Sequence, residues 1–181
     1  MTEPMTEPMS EPMSESWGEP RSRTVTWWDP MIGARAGQAM AGVDYLRAIR
    51  DGQLPGAPIA GLMQFEIAGV EEGRVSFTCV PDESAYNPIG VVHGGLVCTL
   101  LDSVCGCAVH STLPLGKGYT SVEIKVSYLK AVRADSGRLT ATGTLVKGGS
   151  RVAFSEAVVT DESGRPVATA TSTCLVFDLP S

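Results

Sequence analysis

Between Gly94 and about Ser111 the chain runs for eighteen residues without proline and with one formal charge, Asp102. A segment of that length exceeds ordinary strands, and as a helix it extends roughly 27 Å at ~1.5 Å per residue. It is too apolar to lie on a surface, so it is expected to be the central buried element. Four strand patterns follow it: Tyr119–Lys130, Gly137–Val146, Arg151–Thr160 and Pro166–Phe177, separated by Ala-Asp-Ser-Gly, Lys-Gly-Gly-Ser and Asp-Glu-Ser-Gly. Connections this short join antiparallel neighbours. Strands of this length at ~3.3 Å per residue span about 30–40 Å, which matches the helix. Ahead of the helix, Met63, Phe65 and Ile67 alternate with polar residues, as do Val75, Phe77 and Cys79, and Glu-Glu-Gly at 71–73 makes these a hairpin. The class is α+β: a curved antiparallel sheet of about six strands wrapped around a long central helix.

The N-terminal part is organised differently. Residues 1–22 open with a Met-hydroxyl-Glu-Pro repeat that has no apolar face to bury, which predicts a disordered acidic tail. Residues 23–58 form an extension in which Met40, Val43, Leu46 and Ile49 recur every three residues, predicting one amphipathic helix over 37–50 that ends at Gly52. With Trp27 and Trp28 this extension is expected to cover part of the core or of a pocket. The main domain is then 59–178. The formal net charge is −6, yet five glutamates and no base lie within residues 1–20, so the remainder is nearly neutral. No basic stripe suits a nucleic-acid backbone. The five cysteines, an odd number set in apolar runs, read as reduced thiols of a cytoplasmic protein, and neither a signal peptide nor a membrane span is expected.

Chemistry concentrates between Asn87 and Asp102. Burying an ionised carboxylate costs several kcal/mol unless it is compensated, and an exposed helix face would normally carry more than one charge. Asp102 is therefore read as functional rather than as a solvent-facing acid. At helical spacing Gly95, Thr99, Asp102 and Gly106 share one face. Gly94-Gly95 at the helix start lets a carbonyl oxygen approach first-turn amides that have no internal partner, or else permits a tight loop-to-helix turn. His93 is either a ring that fixes this turn or a catalytic base.

Asn87, Gly90, His93-Gly94-Gly95, the acid nine positions after the histidine, the Tyr119–Tyr128 strand and Gly148-Gly149-Ser150-Arg151 together resemble the PaaI-like acyl-CoA thioesterases of the hotdog superfamily. The similarity spans about residues 59–177. It implies the hotdog fold and hydrolysis of acyl-CoA to a carboxylic acid and free CoA, with no cofactor besides the coenzyme A of the substrate. It further implies Asp102 as general base or nucleophile, the Gly94 amide as the group that polarises the carbonyl, and Asn87 as a residue that orients substrate or water. Thr120 or Ser121 would help position the lytic water. Tyr128 and the turn Lys147, Gly148, Gly149, Ser150, Arg151 and Val152 would lie along the CoA. Lys147 and Arg151 beside two glycine amides suit phosphate, although both also suit a solvated hairpin.

Gly94 and Asp102 are eight residues apart, roughly 12 Å along a helix axis, whereas an acid and an oxyanion donor must both lie within about 3 Å of one reacting group. A second, antiparallel copy would bring its acid opposite the first copy's glycine, so a homodimer is needed, and the family resemblance implies a homotetramer. A Cys107–His110 dyad is weaker because nothing orients the histidine, no zinc-ligand spacing exists, and Gly148-Gly149 is not a P-loop. The rival functions are a non-catalytic acyl-CoA-binding or sensing module and a structural oligomerisation domain. A buried acid serves neither.

Overall fold

The structure, a computed structural model, describes residues 17–179. Residues 1–16 of the acidic repeat lie outside the described residues. The helices are α1 (Pro30–Gln38), α2 (Gly42–Arg50), α3 (Pro58–Met63) and α4 (Gly94–His110). The strands are β1 (Phe65–Glu71), β2 (Arg74–Cys79), β3 (Lys117–Tyr128), β4 (Leu139–Lys147), β5 (Val152–Thr160) and β6 (Pro166–Asp178). They form one antiparallel sheet in the order β1-β2-β4-β5-β6-β3, with β3 at an edge.

The helix lies on the sheet because the two surfaces complement each other. Leu100, Leu101 and Val104 on α4 are fully buried. The strand positions beneath are small: Ala141 and Gly143 on β4, Ala153 and Ala157 on β5, Ala168 and Ala170 on β6. A Cβ at Gly143 would stand 2.2 Å from the Val104 carbonyl oxygen, so only glycine allows the helix to approach the middle of the sheet this closely.

The extension differs from its expected form. In place of one helix over 37–50 there are two, separated at residues 39–41. Asp29 caps α1, its Oδ1 accepting from the Met31 amide at 2.9 Å, with Pro30 at the first helical position. The chain then turns so that Gly42 docks on the end of α4, donating to the Leu113 carbonyl at 3.0 Å; a Cβ there would meet the His110 carbonyl at 1.8 Å. Val43, Leu46 and Ile49 keep their common face on α2, and Leu46 is buried in the core. Met63 is the last residue of α3 rather than a strand residue, and β1 begins at Phe65 after Gln64 turns the chain in the left-handed region.

Trp27 and Trp28 do not cover the core: they are 64% and 73% exposed. The strand of chain before them is held on the outside of α3 by polar contacts, Arg23 donating to the Leu62 carbonyl at 2.6 Å and Arg21 pairing with Glu83. At the β5–β6 turn, buried Asp161 accepts from the hydroxyl and amide of Ser163 and from the Arg165 amide, and it pairs with Lys130 at 2.9 Å. No helix among the described residues is long and apolar enough to cross a membrane.

Candidate active site

Asp102 projects from the middle of α4 into a cavity of about 470 Å³. One wall is α4 itself, through Asp102, Ser103, Cys107 and His110. The opposite wall comes from the extension: Tyr45, Leu46 and Ile49 of α2, then Ala57, Ile59 and Ala60 at α3. Phe65, Ile67 and Phe77 of the first hairpin form an apolar side, and Tyr119 and Ser121 of β3 close it. α2 thus covers a pocket as well as the core.

Ser121 donates its hydroxyl to Asp102 Oδ1 at 2.8 Å. The pairing depends on an irregularity in β3: the register with β6 shifts between Ser121 and Glu123, so Val122 is an extra residue. Such a bulge re-aims the side chains beside it. Ser172, buried on β6, donates to the Glu123 carbonyl at 2.9 Å and ties down the far side of the bulge. Thr120 is exposed and, by strand alternation, points to the other face, so of the two hydroxyls it is Ser121 that reaches the acid. Tyr119 lies over Gly106, where a Cβ would stand 2.7 Å from its ring. The strip of small residues on this helix face therefore makes room for an aromatic, while Thr99 turns its hydroxyl back to the Gly95 carbonyl at 2.9 Å.

The start of α4 is a separate locus. His93 is the N-cap, its Nδ1 accepting from the Gly95 amide at 2.8 Å. The His93 amide donates to the Ala85 carbonyl and the Leu96 amide to the His93 carbonyl. This leaves the Gly94 amide without a partner among the described residues, which suits it to an incoming oxygen. The ring nitrogen of His93 that accepts from Gly95 has its lone pair engaged, so the imidazole serves the turn and is poorly placed as a base. Tyr128 donates its hydroxyl to the Gly94 carbonyl at 2.9 Å. Asn87 organises the loop before the helix, its Oδ1 accepting from Ile89 and Val91 at 3.1 and 3.3 Å, around Gly90 with φ +76°.

The Lys147–Val152 turn is exposed. It sits at the Tyr119 end of the sheet, because the Val176 amide donates to the Arg151 carbonyl and Val176 faces Tyr119 across β6 and β3. Tyr128 is nine residues further along β3, about 30 Å away. Within one chain, therefore, Tyr128 and this turn do not meet, contrary to the expectation that they lie together along one CoA.

Burial pushes the Cys107 thiol up to about 12 and moves the His110 imidazole down from its usual value. A protonated thiol beside a neutral ring is not an activated nucleophile, which disposes of the Cys–His dyad. No group of three or more His, Cys, Asp or Glu among the described residues is placed to hold a metal ion.

The family model described as the thioesterase superfamily matches residues 89–168, the stretch that carries the end of the loop before α4, the whole of α4 and strands β3 to β5. A protein of Streptococcus pneumoniae, described as a hypothetical thioesterase and solved with coenzyme A, is 30% identical; the match covers 65% of this chain and 88% of that one, with a TM-score of 0.58. The chain belongs to the thioesterase superfamily. Its sheet and central helix are the hotdog fold of that superfamily: a thioesterase of Haemophilus influenzae superposes with a TM-score of 0.67 over 75% of this chain and 92% of that one, at 22% identity. A Halobacterium salinarum protein that carries the name esterase is 40% identical over 69 residues, 37% of this chain and 44% of that protein. The chain spans 44% and 62% of the lengths of the two curated relatives it matches.

Proposed function

We propose that this thioesterase-superfamily chain hydrolyses acyl-CoA thioesters to a carboxylic acid and free CoA, in the manner of the PaaI-like branch. The observation that carries the reading is Asp102, fixed by the Ser121 hydroxyl, at the wall of a largely apolar cavity of about 470 Å³. An apolar chamber suits an acyl group, and an acid held at its wall suits attack on the carbonyl that leads into it. The coenzyme A bound to the S. pneumoniae relative supports CoA as the leaving group.

The chemistry needs a carboxylate oxygen, a polarised carbonyl and a thiolate that leaves readily, and no cofactor beyond the substrate's own CoA. Asp102 either takes a proton from the attacking water or attacks the carbonyl itself, and Ser121 fixes its orientation. The oxyanion is received by a Gly94 amide. That amide belongs to a second copy, because in one chain Gly94 and Asp102 are about 12 Å apart along the helix. The free edge of β3 beside Ser121 is where a second, antiparallel copy would join. The same antiparallel pairing would carry the second copy's Lys147–Val152 turn toward Tyr128, assembling the CoA path that one chain lacks. Pairs of dimers would make the homotetramer. The five free thiols suit a cytoplasmic setting.

A thiol-release assay over short, medium, long and aromatic acyl-CoAs tests this reading together with Asp102→Asn. The amide has the same shape but neither accepts the proton nor attacks, so turnover should fall by ~10²-fold or more while the fold persists. Near-normal hydrolysis by a folded Asp102→Asn protein would overturn the mechanism. Binding of acyl-CoA without release of CoA by the unaltered protein would instead make the chain a binding or sensing module.

A further inference from the structure

The end of the cavity opposite Asp102 is polar, and no step of the hydrolysis uses it. His110 packs against two tyrosine rings tilted to it, 5.5 Å from Tyr45 at an interplanar angle of 52° and 5.2 Å from Tyr119 at 41°. These two aromatic contacts restrict the imidazole. Neither ring nitrogen has a hydrogen-bond partner among the described residues, and burial alone shifts its titration. Neither nitrogen is a fully enclosed orphan either, since Ser155 Oγ is the buried side-chain atom left unpaired among the described residues. The imidazole therefore turns hydrogen-bonding capacity toward the cavity that it lines.

From this arrangement we infer that His110 is a specificity-determining residue: it receives a neutral hydrogen-bonding group, such as a hydroxyl, at the distal end of the acyl chain. The inference rests on the thioesterase reading above and names the class of acyl group. Asp102 and His110 share one face of α4 eight residues apart, about 12 Å along the axis. Allowing ~3 Å for contact at each end leaves about 6 Å between the carbonyl carbon and the distal polar atom. A five-carbon chain or one benzene ring spans that length.

The group must be neutral, because nothing at this end offers a compensating cation. Cys107 stays protonated and the imidazole uncharged. The one cation lining the cavity among the described residues, Arg50, is engaged by both carboxylate oxygens of Asp51 at 2.8 and 3.0 Å. A carboxylate in this position would be buried unpaired.

The test compares kcat/KM for matched pairs: ω-hydroxypentanoyl-CoA with pentanoyl-CoA, and para-(hydroxymethyl)benzoyl-CoA with para-toluoyl-CoA. Glutaryl-CoA supplies a charged terminus of the same reach. In the unaltered protein at least one hydroxylated member should be favoured by about tenfold over its partner, and glutaryl-CoA should be the poorest of the aliphatic set. In His110→Phe, which keeps an aromatic ring against the two tyrosines and removes the nitrogens, the ratio should fall to about one. His110→Gln, which restores a donor and an acceptor, should recover part of it. The two pairs distinguish a chain from a ring as the carrier of the hydroxyl, and the ratio in the unaltered protein tests the inference even where a variant fails to fold. Hydrolysis of both pairs without preference, or a preference that persists in His110→Phe, overturns the inference and leaves the thioesterase reading standing. Failure to hydrolyse any member overturns the inference, and the thioesterase reading then stands or falls on the wider acyl-CoA series.

Discussion

Gly143→Ala puts the close approach of α4 to the sheet to a quantitative test. The added Cβ would lie 2.2 Å from the Val104 carbonyl oxygen, 2.4 Å from its carbonyl carbon and 2.9 Å from the Cys105 nitrogen, whereas ordinary contact begins at 3.4 Å. All three obstacles are backbone in the interior of α4, so no rotamer change relieves them. Helix and sheet must separate by about 1.2 Å, and a gap of 0.5–1 Å already forfeits roughly a quarter to a half of each dispersion contact across the interface. Adding this to the ordinary ~1–3 kcal/mol of overpacking gives a loss of about 3–4 kcal/mol. For a chain of this size that lowers Tm by roughly 10 °C. Circular dichroism melts at one fixed protein concentration measure it, since association would otherwise shift Tm. The same displacement moves Asp102 away from Ser121, so acyl-CoA turnover should fall by about 10²-fold even below the melting range. Gly148→Ala, whose Cβ meets Leu145 at an ordinary 3.5 Å, is the control for stability. A Gly143→Ala melt within about 2 °C of the unaltered chain would refute the close-approach argument.

Two further outcomes follow from charged groups. The Ser163 hydroxyl and Lys130 hold the Asp161 carboxyl well below the usual carboxylate range. Its contribution to stability is therefore fully present above about pH 4, the unfolded value, and is lost as the pH falls toward the depressed folded one. Urea titrations should show Asp161→Asn less stable than the unaltered chain at pH 7, with the gap narrowing steadily in acid; a gap of constant size would show that the carboxylate's charge is not what matters. Arg151→Ala should raise KM for acyl-CoA, more at low salt than at high, with little change in kcat, because phosphates far from the thioester bind equally in ground and transition states. An N-acetylcysteamine thioester lacks those phosphates and should not respond, and an equal loss on both substrates would assign Arg151 to the fold or to the subunit contact.

What could be read from the residues was whatever periodicity controls. The span of α4 and the existence of six strands follow from apolar period and turn chemistry; β2 to β6 appear within about two residues of their expected limits, while β1 starts two residues after Met63 and runs four beyond Ile67, to Glu71. The break between α1 and α2 did not show, because Gly42 interrupts the helix by docking on His110, a residue remote in sequence. The Asp29-Pro30 pair was the local sign of a separate α1. Trp27 and Trp28 are exposed for a reason aromatic content does not carry: the chain before them is held by Arg21 and Arg23 through Glu83 and the Leu62 carbonyl.

Asp102 stands out because a lone charge in an apolar helix is conspicuous, whereas the hydroxyl expected to position the lytic water is left open between Thr120 and Ser121. Strand parity decides that choice, and the bulge at Val122 leaves no mark in composition. The polar end of the cavity was invisible for a third reason. His110 gains its setting from Tyr45, four elements earlier, and Tyr119, one element later.

The strand order also sets a schedule for synthesis. β3 hydrogen-bonds only to β6, the last of the strands, and 37 residues separate the end of one from the start of the other. At ~5–20 residues per second a ribosome needs roughly 2–7 s to cover that distance. Until then β3 has no neighbour in the sheet, and Ser121 has no bulged register to hold it against Asp102. The hairpins β1–β2 and β4–β5 can form in the meantime from segments already made. The acid end of the site is thus completed after most of the sheet, and an emerging chain is longest exposed to mispairing along the very strand that later orients its carboxylate.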